Sequence, residues 1–164
     1  MNNSKSNQLP IKYGVPQGSV LGPILFSLYI NDIKELGKQN EVNLFADDTS
    51  LFCVAKNYNE LERKSNIALE QCNKWLTNNR LTINTDKTHF LDFSVKKTSK
   101  INLYINGVQI EEKNETKYLG LIIQNDLKWE QQIKKVISKL NNHIPLYLIL
   151  RNIISIDKRK LIYR

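Results

Sequence analysis

Two adjacent aspartates, Asp47 and Asp48, stand between two runs of strand-forming residues, Val42-Asn43-Leu44-Phe45-Ala46 and Thr49-Ser50-Leu51-Phe52-Cys53-Val54. A two-residue polar link between β-prone runs predicts an antiparallel hairpin, here joined by Asp47-Asp48. Both carboxylates then sit at its tip, with no lysine or arginine next in sequence to relieve their repulsion. Most such pairs, taken alone, are solvated turns. Here apolar strands would hold the pair on a rigid scaffold. Hard oxygen donors so placed suit Mg²⁺, which keeps several waters and is usually bound through one or two carboxylates plus substrate phosphates.

The segments around this hairpin predict alternating helices and short strands. Residues 1–10 form a polar tail, and Gly14-Val15-Pro16-Gln17-Gly18-Ser19 reads as a turn-rich loop. Glycines at Gly14 and Gly18 permit close backbone approach, and exposed N–H groups ahead of a helix can meet a phosphate or a base plane. An apolar helix is expected over 19–33, with Ser19 as cap and Pro23 in the first turn. Its Leu21, Ile24, Leu25, Leu28 and Ile33 stripe, widened by Phe26, Tyr29 and Ile30, predicts packing on several sides. Leu61, Ser65, Ala68, Leu69, Cys72, Trp75 and Leu76 follow the rhythm of an amphipathic helix that Asn78-Asn79 would stop.

Farther along, residues 81–84 and 88–93 read as strands around Thr85-Asp86-Lys87. Asn106-Gly107 between Leu103-Tyr104-Ile105 and Val108-Gln109-Ile110 is the strongest short hairpin signal, because both residues accept positive φ. A single strand is expected over 116–123, carrying Tyr118-Leu119-Gly120. Trp129, Ile133, Val136, Ile137 and Leu140 predict a further amphipathic helix, broken by Pro145, with another segment from Leu146 onward.

Charge is concentrated at the far end. Of a formal net charge of +8, residues 126–164 carry +6, with nine Lys/Arg against three acids. A polyanion is a plausible partner for this third, although a solvated helix face explains the charge equally well. Cys53 and Cys72 form neither a metal-binding spacing nor a disulfide framework, which fits a reducing compartment. With no apolar stretch approaching the ~20 residues of a membrane span and no signal-like start, an intracellular location, cytoplasmic or nuclear, is expected without membrane contact.

The run GVPQGSVLGPILFSLYINDI followed by LFADDTSLF resembles the fourth and fifth conserved blocks of reverse transcriptases. CNKWLTNNRLTINTDKTHFLDF resembles the next block of non-LTR retrotransposon enzymes. Thr116-Lys117-Tyr118-Leu119-Gly120-Leu121 is similar to the block that grips the primer, and the basic segment after it is similar to a thumb. The resemblance covers about residues 11–164. It implies an α+β fold, with a partial right-hand polymerase palm over 11–125 as a small antiparallel sheet backed by helices. A helical thumb segment would occupy 126–164.

Under that resemblance the activity is DNA synthesis on an RNA template with a DNA primer and deoxynucleoside triphosphates. Two Mg²⁺ ions, replaceable by Mn²⁺, would take part. Asp47 is implied as a direct metal ligand and Asp48 as the supporting one. Gly14, Pro16, Gln17 and Gly18 would line the nucleotide and template pocket. Lys87 would stand near the pyrophosphate as general acid or electrostatic stabiliser, and Tyr118, Leu119 and Gly120 would grip the primer.

Two departures stand out. Phe45 occupies a place where many relatives carry tyrosine. The family's first metal-binding aspartate lies on a strand ahead of Gly14, whereas none of the thirteen residues before Gly14 is acidic. The expectation is therefore an incomplete metal site, inactive in isolation, with upstream palm and fingers supplied by a longer or complementing chain. The alternatives are a non-catalytic nucleic-acid-binding remnant and an intron-encoded or domesticated reverse transcriptase. The tryptophan to lysine-threonine block favours the retrotransposon.

Overall fold

The computed structural model describes residues 14, 15, 18–38, 40–150, 153 and 154. The expected N-terminal tail, Pro16, Gln17 and the end of the basic third lie outside the described residues. The elements run α1 (Gly22–Ile30), a 3₁₀ stretch (Asn31–Lys38), β1 (Glu41–Phe45), β2 (Asp48–Phe52) and α2 (Tyr58–Asn78). A 3₁₀ turn (Thr85–Lys87), β3 (His89–Phe90), β4 (Tyr104–Ile105), β5 (Val108–Gln109) and β6 (Glu111–Glu112) follow. The last are β7 (Glu115–Tyr118), β8 (Leu121–Gln124) and α3 (Glu130–Leu150). This is a mixed α+β chain, as expected. Pairs β1–β2, β4–β5 and β7–β8 are antiparallel, while β3–β6 is parallel.

The described residues fall into two compact units. One contains those up to Ile83 together with Ile101–Gln109, and the other contains Asn84–Lys100 and those from Ile110 on. In the first unit, the core is built from Ile30, Ile33, Ala68, Cys72, Ile101, Leu103 and Ile105, with Ile33 only 1% exposed. Ser65, Ala68 and Cys72 are the buried residues of α2. They are the inner face of the expected stripe, at the spacing that returns to one side of a helix. Burial pushes the Cys72 thiol pKa up, the behaviour of a packing residue.

Both ends of α2 are closed by local hydrogen bonds. At the start, Asn57 Oδ1 accepts from the Glu60 N–H at 2.9 Å, and Glu60 Oε2 accepts from the Lys56 N–H at 3.2 Å. The bonds from Lys64 and then Lys56 hold the Glu60 carboxyl below its usual pKa. A depressed carboxylate supports the fold above its unfolded-state pKa, so this support is lost as pH falls through the lowered one. At the other end, Arg80 turns at φ 54, and the Leu81 and Arg80 N–H groups return to the carbonyls of Leu76 and Thr77 at 2.8 and 3.0 Å. That is a Schellman closure with arginine in the place glycine usually takes. It also corrects the strand expected over 81–84, because the Leu81 amide is spent on the helix.

A side chain on α2 stands in for a β-strand. Asn66 Nδ2 donates to the Asn102 carbonyl at 2.9 Å, and its Oδ1 accepts from the Tyr104 N–H at 2.9 Å. Glu62 Oε2 takes the Asn102 N–H at 2.8 Å. These bonds tie the β4–β5 hairpin to α2, and that hairpin turns through Asn106-Gly107 at φ 51 and 77, as the dipeptide predicts. Asn66→Ala leaves a part-buried donor and acceptor without their partner. We expect it to destabilise the chain by about 1–3 kcal/mol, measured as a lowered urea midpoint at unchanged m.

Several expectations are corrected. The helix predicted over 19–33 begins at Gly22, whose N–H donates to Ser19 Oγ at 3.0 Å, and gives way to 3₁₀ geometry after Ile30. Ile30 is the one buried residue of α1, so packing on several sides is not seen among the described residues. The strand expected over 88–93 is confined to β3, with Thr85–Lys87 a 3₁₀ turn capped by Asn84. The strand expected over 116–123 is instead the β7–β8 hairpin. Pro145 lies inside α3, which runs on to Leu150. Proline removes one N–H from the helix ladder, and here the helix continues across that gap.

Candidate active site

Asp47 and Asp48 sit on the β1–β2 hairpin, with a register one residue off the expected turn. Phe45 pairs with Asp48, so the two linking residues are Ala46 and Asp47, and Asp48 opens β2. The change shifts strand pairing by two residues and so preserves the faces. Val42 pairs with Leu51 where the expected turn would set it opposite Cys53, and both partners lie on the half-buried side. Cross-strand partners share a face, so Asp48 lies beside Phe45, which is 61% exposed. Asp47 and Asp48 are both exposed, adjacent and held at the end of a paired ladder.

Ala46 takes φ 52, the left-handed region that favours glycine. The cost for a residue with a Cβ is about 1–2 kcal/mol, which the flanking ladder must offset. We expect Ala46→Gly to raise unfolding stability by about 0.5–1 kcal/mol, the relieved strain less the greater freedom of glycine in the unfolded chain. A chemical-denaturation midpoint that falls in the glycine variant would contradict a strained turn.

The other expected site residues are distributed as follows. Gly14 and Gly18 have φ 78 and 85, and no heavy atom lies within 4 Å of a Cβ built on either. Glycine is required there by backbone conformation and not by crowding. Lys87 is exposed on the Thr85–Lys87 turn in the second unit. Its N–H donates to Asn84 Oδ1 at 3.2 Å. Its carbonyl lies 3.2 Å from His89 Nδ1, and His89 Nε2 lies 2.5 Å from Thr116 Oγ1 on β7. A carbonyl can only accept, so Nδ1 is the donor in that bond, and in the neutral ring Nε2 would accept from the threonine hydroxyl. His89 therefore links the Lys87 turn to β7.

Tyr118, Leu119 and Gly120 form the tip of the β7–β8 hairpin. Leu119 and Gly120 are the two linking residues, at φ 47 and 88, between the paired Tyr118 and Leu121. Both central residues at positive φ match the twist of a hairpin, at a cost to Leu119 of about 1–2 kcal/mol. Tyr118 is half-buried and Leu119 is 47% exposed. Helix α3 lies along β8 through three hydrogen bonds. The Gln131 N–H donates to Gln124 Oε1 at 3.1 Å, the Ile122 N–H donates to Gln132 Oε1 at 2.9 Å, and Lys135 Nζ donates to the Gly120 carbonyl at 2.9 Å. Neither the left-handed Ala46 nor Lys135 stands out in the sequence. An alanine carries no turn signal, and a lysine in a basic helix looks like its neighbours.

Among the described residues no group of three or more His, Cys, Asp or Glu converges to hold a metal. Asp47 and Asp48 by themselves offer two adjacent, exposed carboxylates on a rigid tip. That donor set fits Mg²⁺ completed by phosphate oxygens and water.

The profile of the reverse transcriptase (RNA-dependent DNA polymerase) family matches residues 1–123, a stretch that holds the loop at Gly14, the carboxylate hairpin and the Tyr118 turn. The chain belongs to the reverse transcriptase family. It is 30% identical over 139 residues to the RNA-directed DNA polymerase from mobile element jockey of Drosophila melanogaster, covering 80% of this chain and 15% of that protein. It is 25% identical over 166 residues to the probable RNA-directed DNA polymerase from transposon X-element of the same fly, covering 97% and 18%. It is 26% identical over 132 residues to the retrovirus-related Pol polyprotein from type-1 retrotransposable element R1 2 of Nasonia vitripennis, covering 74% and 32%. The named relatives are non-LTR retrotransposon proteins, in line with the resemblance in the sequence. This reverse transcriptase segment spans less than a fifth of the length of the jockey and X-element proteins. No solved structure matches it significantly. No helix among the described residues is long and apolar enough to cross a membrane.

Proposed function

We infer that the chain is the later part of the palm (11–125) and the start of the thumb (126–164) of an RNA-directed DNA polymerase from a non-LTR retrotransposon. The observation that carries this reading is the pair Asp47 and Asp48, exposed on the two-residue turn and first strand position of a paired hairpin, within the region matching the family. The substrates are an RNA template, a DNA primer and deoxynucleoside triphosphates. In the reaction the primer 3′-hydroxyl attacks the α-phosphate and pyrophosphate leaves.

Asp47 and Asp48 would hold divalent cations, Mg²⁺ or Mn²⁺, which would supply activation of the attacking hydroxyl and neutralisation of charge on the leaving oxygens. Asp47, in the turn, is the direct ligand, and Asp48 supports it from the face shared with Phe45. The ring of Phe45 offers an apolar surface beside the primer end. Backbone at Gly14 and Gly18, with Pro16 and Gln17 between them, contacts the nucleotide and template. Lys87 donates charge or a proton to the departing pyrophosphate. The Tyr118-Leu119-Gly120 turn bears on the primer.

Basic residues around α3, among them Lys134, Lys135 and Lys139, also support a second reading, a remnant that binds nucleic acid without catalysis. Deoxynucleotide incorporation on an RNA template separates the two. A polypeptide containing this segment together with upstream palm and fingers incorporates in the first reading. In the second it binds the same template-primer without product.

A further inference from the structure

We propose that Lys135 is a positioning residue for the primer, acting through the Tyr118-Leu119-Gly120 turn, an inference that rests on the polymerase reading above. Three hydrogen bonds join the start of α3 to successive points along β8, at Gln124, Ile122 and finally Gly120. The last is the only one of the three made by a charged group, and it falls on the linking residue of the hairpin. The Gly120 carbonyl belongs to the turn and has no place in the β7–β8 ladder. Lys135 gives it a donor and fixes it to the first turns of α3.

The turn has reason to need holding. Leu119 is in the left-handed region at φ 47, a conformation disfavoured for a side chain with a Cβ, and it is exposed. A strained, exposed turn samples other conformations unless its surroundings over-determine it. Among the described residues, the Lys135 ammonium reaches this tip from another element. Releasing it frees the turn to relax and moves Tyr118 and Leu119 together, because Tyr118 is paired with Leu121 directly across the link. Lys135 therefore serves the nucleic acid indirectly, in contrast to a lysine that neutralises a phosphate.

That contrast supplies the test, made on the 164-residue chain with a labelled RNA template and DNA primer. Lys135→Met keeps side-chain length and helix preference and removes the donor, while Lys135→Arg keeps a donor. In the methionine variant the expected results are amide exchange at Leu119 to Leu121 faster by at least about threefold and affinity weaker by roughly three- to tenfold. The slope of log affinity against log salt stays that of the unsubstituted chain, and Lys135→Arg restores both quantities. Lys139→Met, as a comparison, makes the slope shallower by about one phosphate contact.

A shallower slope in Lys135→Met with unchanged exchange at the turn would make Lys135 a phosphate contact and overturn the inference. A loosened turn with undiminished affinity would overturn it too. If the unsubstituted chain fails to bind template-primer, the affinity comparison is made in the longer polypeptide that carries upstream palm and fingers. The exchange comparison then still decides whether Lys135 holds the turn.

Discussion

Asp47→Asn, placed in a polypeptide that extends this segment through upstream palm and fingers, is expected to lower Mg²⁺-dependent deoxynucleotide incorporation by at least about a thousandfold while leaving the fold intact. The size follows from what is removed. Electrostatic stabilisation at a site of developing charge is typically the largest single contribution to catalysis, and loss of one preorganised group costs on the order of 10²–10³ in rate. A carboxylate that ligates a divalent ion contributes at the upper end or beyond, because its loss weakens both ion binding and placement of the attacking hydroxyl. Asparagine matches aspartate in volume and keeps an oxygen donor, but it has no charge. Asp47 is exposed and in a turn, so the substitution disturbs no core packing. Single-turnover primer extension with both proteins, alongside circular dichroism, checks the result. Incorporation by a folded Asp47→Asn protein within tenfold of the unsubstituted one would remove Asp47 from the metal site. Asp48→Asn is expected to cost less, since the proposed arrangement gives Asp48 only a supporting place.

The second large effect is on binding. The 164-residue chain alone should bind template-primer weakly and lose roughly 50- to 150-fold in affinity between 50 and 200 mM salt, as expected for three to four phosphate contacts at a slope near −0.9 per contact on duplex DNA. The candidates for such contacts are the Lys/Arg of residues 126–164 other than Lys135, whose ammonium is taken by the Gly120 carbonyl. Lys128 is a weaker candidate, because its ammonium lies 3.7 Å from Asp126 Oδ2. Extension by this chain alone should stay below detection with Mg²⁺ or Mn²⁺. Asp47 and Asp48 alone would leave a pair of metal ions under-liganded. Fluorescence anisotropy across a salt series and a primer-extension gel measure the two halves. Extension abolished by Asp47→Asn would show the site to be complete within these 164 residues, whereas salt-insensitive binding would refute a phosphate-contacting basic surface.

The parts of the fold that were legible in the sequence are those governed by short-range rules. The α2 helix follows from the recurrence of Leu61, Ser65, Ala68 and Cys72, because a 3.6-residue period leaves one face to bury. The Asn106-Gly107 hairpin follows from two residues that tolerate positive φ. The carboxylate hairpin is legible for the same kind of reason, and so is the family, whose profile matches residues 1–123. Residues 81–84 misled because their strand-like composition says nothing of the Arg80 turn that spends the Leu81 amide on α2. Pro145 misled because the penalty of one missing helix bond is local, whereas α3 persists on both sides of it.

The sequence by itself determined that Asp47 and Asp48 share a hairpin tip, that the chain is mixed α+β, and that it belongs among reverse transcriptases. Each of these rests on residues within a few positions of one another, or on a motif whose order is written along the chain. Only the tertiary structure decided that Ala46 and not Asp48 takes the turn, that Tyr118-Leu119-Gly120 folds back on itself, and that β3 pairs in parallel with β6. It also decided that Asn66 serves as a partner for the backbone at Asn102 and Tyr104, and that Lys135 reaches Gly120. These depend on which backbone donors and acceptors remain unpaired once the elements pack. At Ala46 and Leu119 the cross-strand hydrogen bonds of the flanking ladders offset the strain of the left-handed region, against which local preference argues at both positions.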